Sequence, residues 1–228
     1  MKKDKFALAN DKVIRNRLQS GIFNYLLETN NKPLVISDFD DCIMSIAPFW
    51  IMQVLKKQGK EISLDEAIKL AAERKEYYIH EHLGVPANEL HSVYLNREFY
   101  ESDLIFLSKI GISLFNCLKY NKCDLVIISS TFDCHKEVKK EICKKIFPKA
   151  KLVFVSPTGK KSKAINDLGL GHYSTFIDDK IENIQDVLEN TFSVGKEFIC
   201  PKFGYNKASD ELLQKFNEED AVLYYSDF

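Results

Sequence analysis

Three carboxylates, Asp38, Asp40 and Asp41, follow directly on the short apolar run Leu34-Val35-Ile36-Ser37. The run is too short for a helix and reads as a strand buried on both faces, as parallel strands are. Carboxylates crowded at the end of a buried strand repel one another, and each costs free energy to desolvate unless a cation or hydrogen bonds compensate. A metal ion is the expected compensation, and chemistry on a phosphate is the expected purpose.

The rest of the chain supplies elements that would position such a group. Apolar positions at helical spacing (Val13, Leu18, Ile22, Tyr25, Leu26) predict a leading helix over 8–28, broken by Asn30-Asn31-Lys32-Pro33. After the first strand, residues 45–118 read as helix throughout. One helix spans 47–58. A second opens at the capping box Ser63-Leu64-Asp65-Glu66 and runs to about His82, a third covers 88–94, and a fourth covers 103–119. The pattern then alternates. Strands are expected at 123–128, 151–155, 173–177 and 197–200, and helices at 134–146, 161–168, 181–188 and 209–216. Such alternation predicts an α/β fold with a doubly wound parallel sheet. The helical block then falls as an insertion after the first strand.

In open parallel sheets, ligands bind beyond the carboxyl ends of the strands. The first strand delivers Asp38, Asp40 and Asp41 there, and the second delivers Ser129, Ser130 and Thr131. Ser156, Thr158, Gly159, Lys160 and Lys161 follow the third, and Asp178 and Asp179 follow the fourth. One rim thus offers carboxylates for a hard cation, hydroxyls for anion oxygens and a lysine for charge. An oxygen-rich site with few protein carboxylates suits Mg2+, which keeps several waters and prefers phosphate partners.

These segments, in order, resemble the motifs of the haloacid dehalogenase superfamily. Asp38-Phe39-Asp40-Asp41-Cys42 is similar to the first motif, with Cys42 where Thr or Val is usual. Ile127-Ile128-Ser129 resembles the second, Lys160 or Lys161 the third, and Ile177-Asp178-Asp179-Lys180-Ile181-Glu182-Asn183 the fourth. The resemblance implies a core sheet ordered 5-4-1-2-3, built from 1–44 and 119–228, and a helical cap at 45–118 that chooses the substrate. It implies Asp38 as nucleophile and Asp40 as general acid/base, with Ser129, Ser130 and Lys161 or Lys160 on the phosphate. Lys161 is preferred because Ile165 then falls where the helix buries its first apolar residue. The metal is expected on Asp38, Asp179 and the backbone carbonyl of Asp40. Asp178 ranks second as a ligand or serves as a helix cap, Asn183 orients Asp179, and Asp41 caps the following helix. Retention of Asp40 favours phosphoryl over carbon–halogen chemistry, because a halide leaving group needs no proton.

From the cap, Arg74, Lys75, Tyr77, Tyr78, His80, His82, Arg97 and Tyr100 are the polar and aromatic positions expected to meet substrate, with Trp50 and Phe49 expected in the core. Tyr205 and Asn206 sit on a loop that can border the same rim.

Composition sets the frame. The chain has 228 residues, 45% hydrophobic and 29% charged, with a net charge of −1, enough for one large domain or a core plus an insertion. Lys136–Lys163 carries ten Lys against Glu137 and Glu141, whereas Asp178–Phe228 carries twelve acidic residues against five Lys. Solvated helix faces are the expected reading of both. Six cysteines show no C-x-x-C pair and no leader or membrane span is expected, so reduced thiols in a cytoplasmic compartment follow. The expected function is a magnesium-dependent phosphomonoesterase on a small phosphorylated metabolite, with a nucleoside monophosphate favoured. The competing readings are a phosphatase of nucleic-acid ends, supported only by the lysine cluster, and a non-catalytic phosphate-binding or scaffold protein.

Overall fold

The computed structural model describes residues 32–88, 93, 95, 100, 105–192 and 197–227. The predicted leading helix, most of the helix at 88–94, and Arg97 lie outside the described residues.

The sheet has six strands, all parallel. β1 (Leu34–Ser37) is central, flanked by β4 (Asp124–Ser130) and β6 (Tyr173–Ile177), with β5 (Lys151–Val155) beyond β4 and β7 (Glu197–Lys202) beyond β6. This is the expected order with one addition: β8 (Val222–Asp227) pairs along β7 from Glu197–Val222 to Lys202–Asp227. The run Val222-Leu223-Tyr224-Tyr225 carried the β-branched and aromatic signal for that strand, and the sequence reading stopped short of it.

Strand alternation sorts the core into two faces. Val35, Leu125 and Ile127 join one apolar cluster, and Ile36, Val126 and Ile128 the other. The first cluster takes in α4 (Lys109–Lys119), α5 (Asp133–Ile146) and residues of α1 (Ala47–Lys57), through Leu114, Val138 and Val54. The second is covered by α6 (Lys161–Asp167), α7 (Ile181–Asn190) and α8 (Asp210–Glu218), through Ile165, Ile184 and Phe216. A doubly wound sheet follows from this period-two burial.

The block at 45–118 differs from an all-helical reading in three places. First, β2 (Met44–Ser45) and β3 (Phe106–Leu107) form a small antiparallel ladder where the chain leaves and re-enters the core. Second, α4 starts at Lys109 rather than 103, because the Ser108 side chain caps it by accepting the Gly111 amide at 2.9 Å. Gly111 itself is required: a Cβ there would sit 2.2 Å from the Ile43 carbonyl oxygen. Third, the capping box of α2 (Leu64–Glu73) is present, with the Ser63 amide donating to Glu66 at 2.8 Å, but the helix stops nine residues before His82. Arg74 turns extended, and a short α3 (Ile79–Leu83) follows, closed by Gly84 in the left-handed region. Helix propensity through this stretch yields to the demand that Arg74 reach a buried carboxylate.

At the opposite end of the sheet from the strand-end carboxylates, Glu197 begins β7 beside Thr175 and Val222. Its carboxyl is mostly buried, and burial pushes its pKa up from 4.5 to about 7. The folded state therefore holds a proton that the unfolded chain has released between those values, and stability falls as pH rises through that window. Glu197→Gln removes this contribution: its melting temperature should fall less between pH 5 and pH 8 than that of the parent protein, measured by circular dichroism. Parallel melting curves for the two proteins would show that Glu197 stays ionised in the fold.

Candidate active site

The register of the central strands assembles the site. Ser37 lies level with Ile177, and the Asp38 amide donates to the Ile177 carbonyl at 2.8 Å. The next residues out, Asp38 on one strand and Asp178 on its neighbour, are therefore side by side. An irregularity between Leu34 and Val35 sets this level, and the Ser174 hydroxyl, donating to the Leu34 carbonyl at 3.1 Å, sits there.

Lys161 holds the two carboxylates together. Its Nζ lies 2.6 Å from Asp178 Oδ2 and 2.7 Å from Asp38 Oδ1, and its side chain is buried. Burial alone would lower its pKa, but the charges of Asp178 and Asp38 outweigh that and raise it, so the ammonium is fixed as a cation. Lys161 and Ile165 lie on one face of α6, which carries both inward. Lys160, the alternative motif lysine, occupies the N-cap position at the cavity edge, with its side chain mostly in solvent and 3.2 Å from Asp186.

Asp178 spends its other oxygen on the Lys180 amide and the Asn183 amide group, each at 2.9 Å. Asn183 thus supports Asp178, where orientation of Asp179 was expected. The completely buried Asp178, expected as second metal ligand, instead anchors Lys161 and the start of α7. Asp179 is the carboxylate that converges with Asp38: one of its oxygens, one of Asp38 and the Cys42 sulfur all lie within 4.8 Å of one another. Burial, then the neighbouring carboxylates, push the Asp179 carboxyl well above the ordinary range, and burial likewise raises Asp38 against the pull of Lys161. The Cys42 thiol is driven up by burial and by the same carboxylates, so it stays neutral. This rim is short of positive charge. Two carboxylates converging there fit a hard divalent cation, which would reverse that shortage.

Asp41 does more than cap. With φ at 53°, its Oδ1 accepts the Ile46 and Ala47 amides at 2.9 and 2.8 Å, opening α1, while Oδ2 pairs with Arg74 at 3.0 Å. Arg74 also donates to the Tyr205 hydroxyl at 3.0 Å and lies 4.5 Å and 4.8 Å from the ring centres of Phe203 and Tyr205. Tyr205 passes the contact on, donating to Asp179 at 3.1 Å. Gly204 lets this loop close on the end of α2, since a Cβ there would meet the Arg74 carbonyl oxygen at 2.6 Å. Arg74 therefore ties the inserted segment to both acidic strand ends.

Asp40 points to the other side. Its Oδ2 is 2.7 Å from the Lys139 ammonium, and the Tyr100 hydroxyl lies 3.0 and 3.1 Å from its two oxygens. Ser129, expected on the phosphate, is completely buried within β4 and accepts from Lys139 at 2.9 Å. The strand runs two residues past its expected end, and it is Ser130 and Thr131 that face the cavity. Sequence reading missed Lys139 because it sits among solvated lysines of α5. Its inward spacing with His135 and Val138 was the available signal.

A cavity of about 630 Å³ opens over Asp38, Asp40 and Asp179. Its lining includes the aromatic side chains of Trp50, Tyr77, Tyr78 and His80. Trp50, expected in the core, packs against it and also lines the cavity, and Phe49 is buried. The Lys-rich helix does not face this cavity: Lys136 and Lys140 pair on its outer side with Asp133 and Glu137, each at 2.6 Å. Removing Arg74 would leave Asp41 buried without its cation, a change that costs about 3 kcal/mol. Arg74→Ala should lower the urea midpoint accordingly, and Arg74→Lys should not restore it, because an ammonium cannot stack and fork as guanidinium does. A midpoint unchanged by Arg74→Ala would refute a stabilising role for the Arg74–Asp41 pair.

No protein-family model matches the sequence, and no curated protein matches it. Solved structures do resemble it. A candidate phosphatase from Clostridium difficile superposes with a TM-score of 0.52 at 16% identity, covering 87% of this chain and 95% of that one. A haloacid dehalogenase-like family hydrolase from Streptococcus pneumoniae gives 0.51 at 12% identity, covering 85% and 93%. A candidate beta-phosphoglucomutase from Thermotoga maritima gives 0.51 at 14%, covering 86% and 94%. At such identities the likeness is one of architecture, and it agrees with the strand order found here: the chain has the haloacid dehalogenase-like α/β fold.

Proposed function

We propose that the protein is a magnesium-dependent phosphomonoesterase acting through an aspartyl-phosphate on Asp38. The observation that carries this reading is the convergence of Asp38 and Asp179 beneath an open cavity, with Lys161 against Asp38 and a shortage of positive charge at the rim. Asp38, Asp179 and the backbone carbonyl of Asp40 would hold the ion. Magnesium supplies charge that screens the approach of an anionic nucleophile to an anionic phosphate.

The residues then divide the reaction. An Asp38 oxygen attacks phosphorus as the ester P–O bond breaks, and Asp40, carrying a proton on Oδ1 while Oδ2 accepts from Lys139, gives that proton to the departing alkoxide. Asp40, now a carboxylate, takes a proton from water, which attacks the aspartyl-phosphate, releasing inorganic phosphate and restoring Asp38. Lys161 offsets the charge of Asp38 throughout. Ser130 and Thr131 line the side from which phosphate oxygens can be held.

The substrate is a small phosphorylated metabolite, and the cavity volume falls within the range of small-molecule sites. The aromatic lining of Trp50, Tyr77 and Tyr78 favours a planar leaving group, which makes a nucleoside monophosphate the favoured case. Six free cysteines are in keeping with a reducing, cytoplasmic setting, and no helix among the described residues is long and apolar enough to cross a membrane.

Purified protein should release phosphate from 4-nitrophenyl phosphate with magnesium and lose that activity on chelation. Asp38→Asn should reduce turnover to background while the melting temperature holds. Equal turnover by the two proteins would reject Asp38 as nucleophile. Faster hydrolysis of sugar phosphates than of nucleoside monophosphates would reject the planar leaving group.

A further inference from the structure

Lys139 is a charge in an unusual place. α5 carries five lysines, and Lys136 and Lys140 sit half in water beside acidic neighbours. The side chain of Lys139 is fully buried. Its Nζ lies 2.7 Å from Asp40 Oδ2, 2.9 Å from the Ser129 hydroxyl, and 5.1 Å from the ring centres of both Phe39 and Tyr100. Burying an ammonium costs several kcal/mol unless a counter-charge recovers it, and a Met or Leu would fill the same space without that cost. Among the described residues, the carboxylate it meets is that of Asp40.

Asp40 needs such a partner. Asp38, Asp41 and Asp178 are locked by Lys161, Arg74 and backbone amides, but Asp40 is the most open of the four, with its side chain 26% exposed at the cavity edge. Lys139 from the core helix holds Oδ2, and the Tyr100 hydroxyl from the inserted segment reaches both oxygens. Tyr100 is itself braced edge-on against His135, one turn before Lys139 on α5, with ring centres 4.9 Å apart.

We infer that Lys139 is a positioning residue for proton transfer: its buried charge, with the Tyr100 hydroxyl, fixes the rotamer in which Asp40 meets the leaving-group oxygen. The inference rests on the phosphatase reading above. It goes beyond that reading by giving a role to a residue that no strand-end motif contains. A carboxylate set free to rotate at the cavity edge loses its alignment with the ester oxygen, and a displacement of about 1 Å is worth roughly 100-fold in rate.

Leaving-group dependence is the test. An alkyl phosphate such as glycerol 2-phosphate needs a proton delivered to its leaving oxygen, whereas 4-nitrophenyl phosphate scarcely does. Lys139→Met should lower kcat/KM for the alkyl ester by about 100-fold and for the nitrophenyl ester by less than about tenfold. Lys139→Gln, which keeps a donor for Ser129 without the charge, should show the same disparity and guards against a folding defect in the first variant. In an Asp40→Asn background, Lys139→Met should cost nothing further, since two residues acting through one another are not additive. Lys140→Met, on the outer face of the same helix, should leave both esters unaffected. Equal losses on both esters, or an undiminished loss in the Asp40→Asn background, would overturn the inference while leaving the phosphatase reading intact. Inactivity of the parent protein on both esters would overturn the phosphatase reading and this inference with it.

Discussion

The buried contact of Lys161 with Asp38 and Asp178 is the interaction on which the rest of the site depends. Neighbouring parallel strands that end at the same level bring their next residues together, and here both next residues are acids. Without a cation between them, the two would repel in a medium that screens poorly. One lysine, delivered by α6 and anchored by the burial of Ile165, makes that juncture tolerable. It leaves Asp179 and the outward part of Asp38 without full compensation, and the deficit faces the cavity. A structural role and a chemical one are thus built from the same three side chains.

A second set of contacts fixes what lies over the site. Arg74 sits between Asp41, Tyr205 and the Phe203 ring, and Tyr205 reaches Asp179. The inserted segment is therefore joined to the acidic rim by charge and hydrogen bonds as well as by apolar packing. On the other side Tyr100 meets Asp40. Asp41 and Asp40 are thus both points where the insertion grips the core. Aromatic side chains of the inserted segment and the strand-end carboxylates thus line one cavity.

Much of this was legible beforehand. The strand-end acids at Asp38 and Asp179, the choice of Lys161 over Lys160 from the burial of Ile165, and the alternation that makes a doubly wound sheet all rest on local periodicity. Local signals also misled where a distant partner intervened. Helix propensity beyond Glu73 lost to the buried pairing of Arg74, and Ser129 turned inward because Lys139 waits behind it. Asn183 reached Asp178 rather than Asp179 because the start of α7 faces the inner carboxylate.

Read alone, the chain determined which residues arrive at the rim: apolar runs of strand length set their exits, and those exits are covalently tied to Asp38, Asp40, Asp178 and Asp179. Only the tertiary structure decided how the acids are divided. Asp178 is neutralised by Lys161, Asp41 is spent on Arg74, Asp40 is gripped by Lys139 and Tyr100, and Asp38 and Asp179 are left converging beside Cys42. The partners lie 17, 33, 99 and 60 residues away from the acids they hold. Charge pairing across such separations depends on distances in space, which no local pattern along the chain encodes.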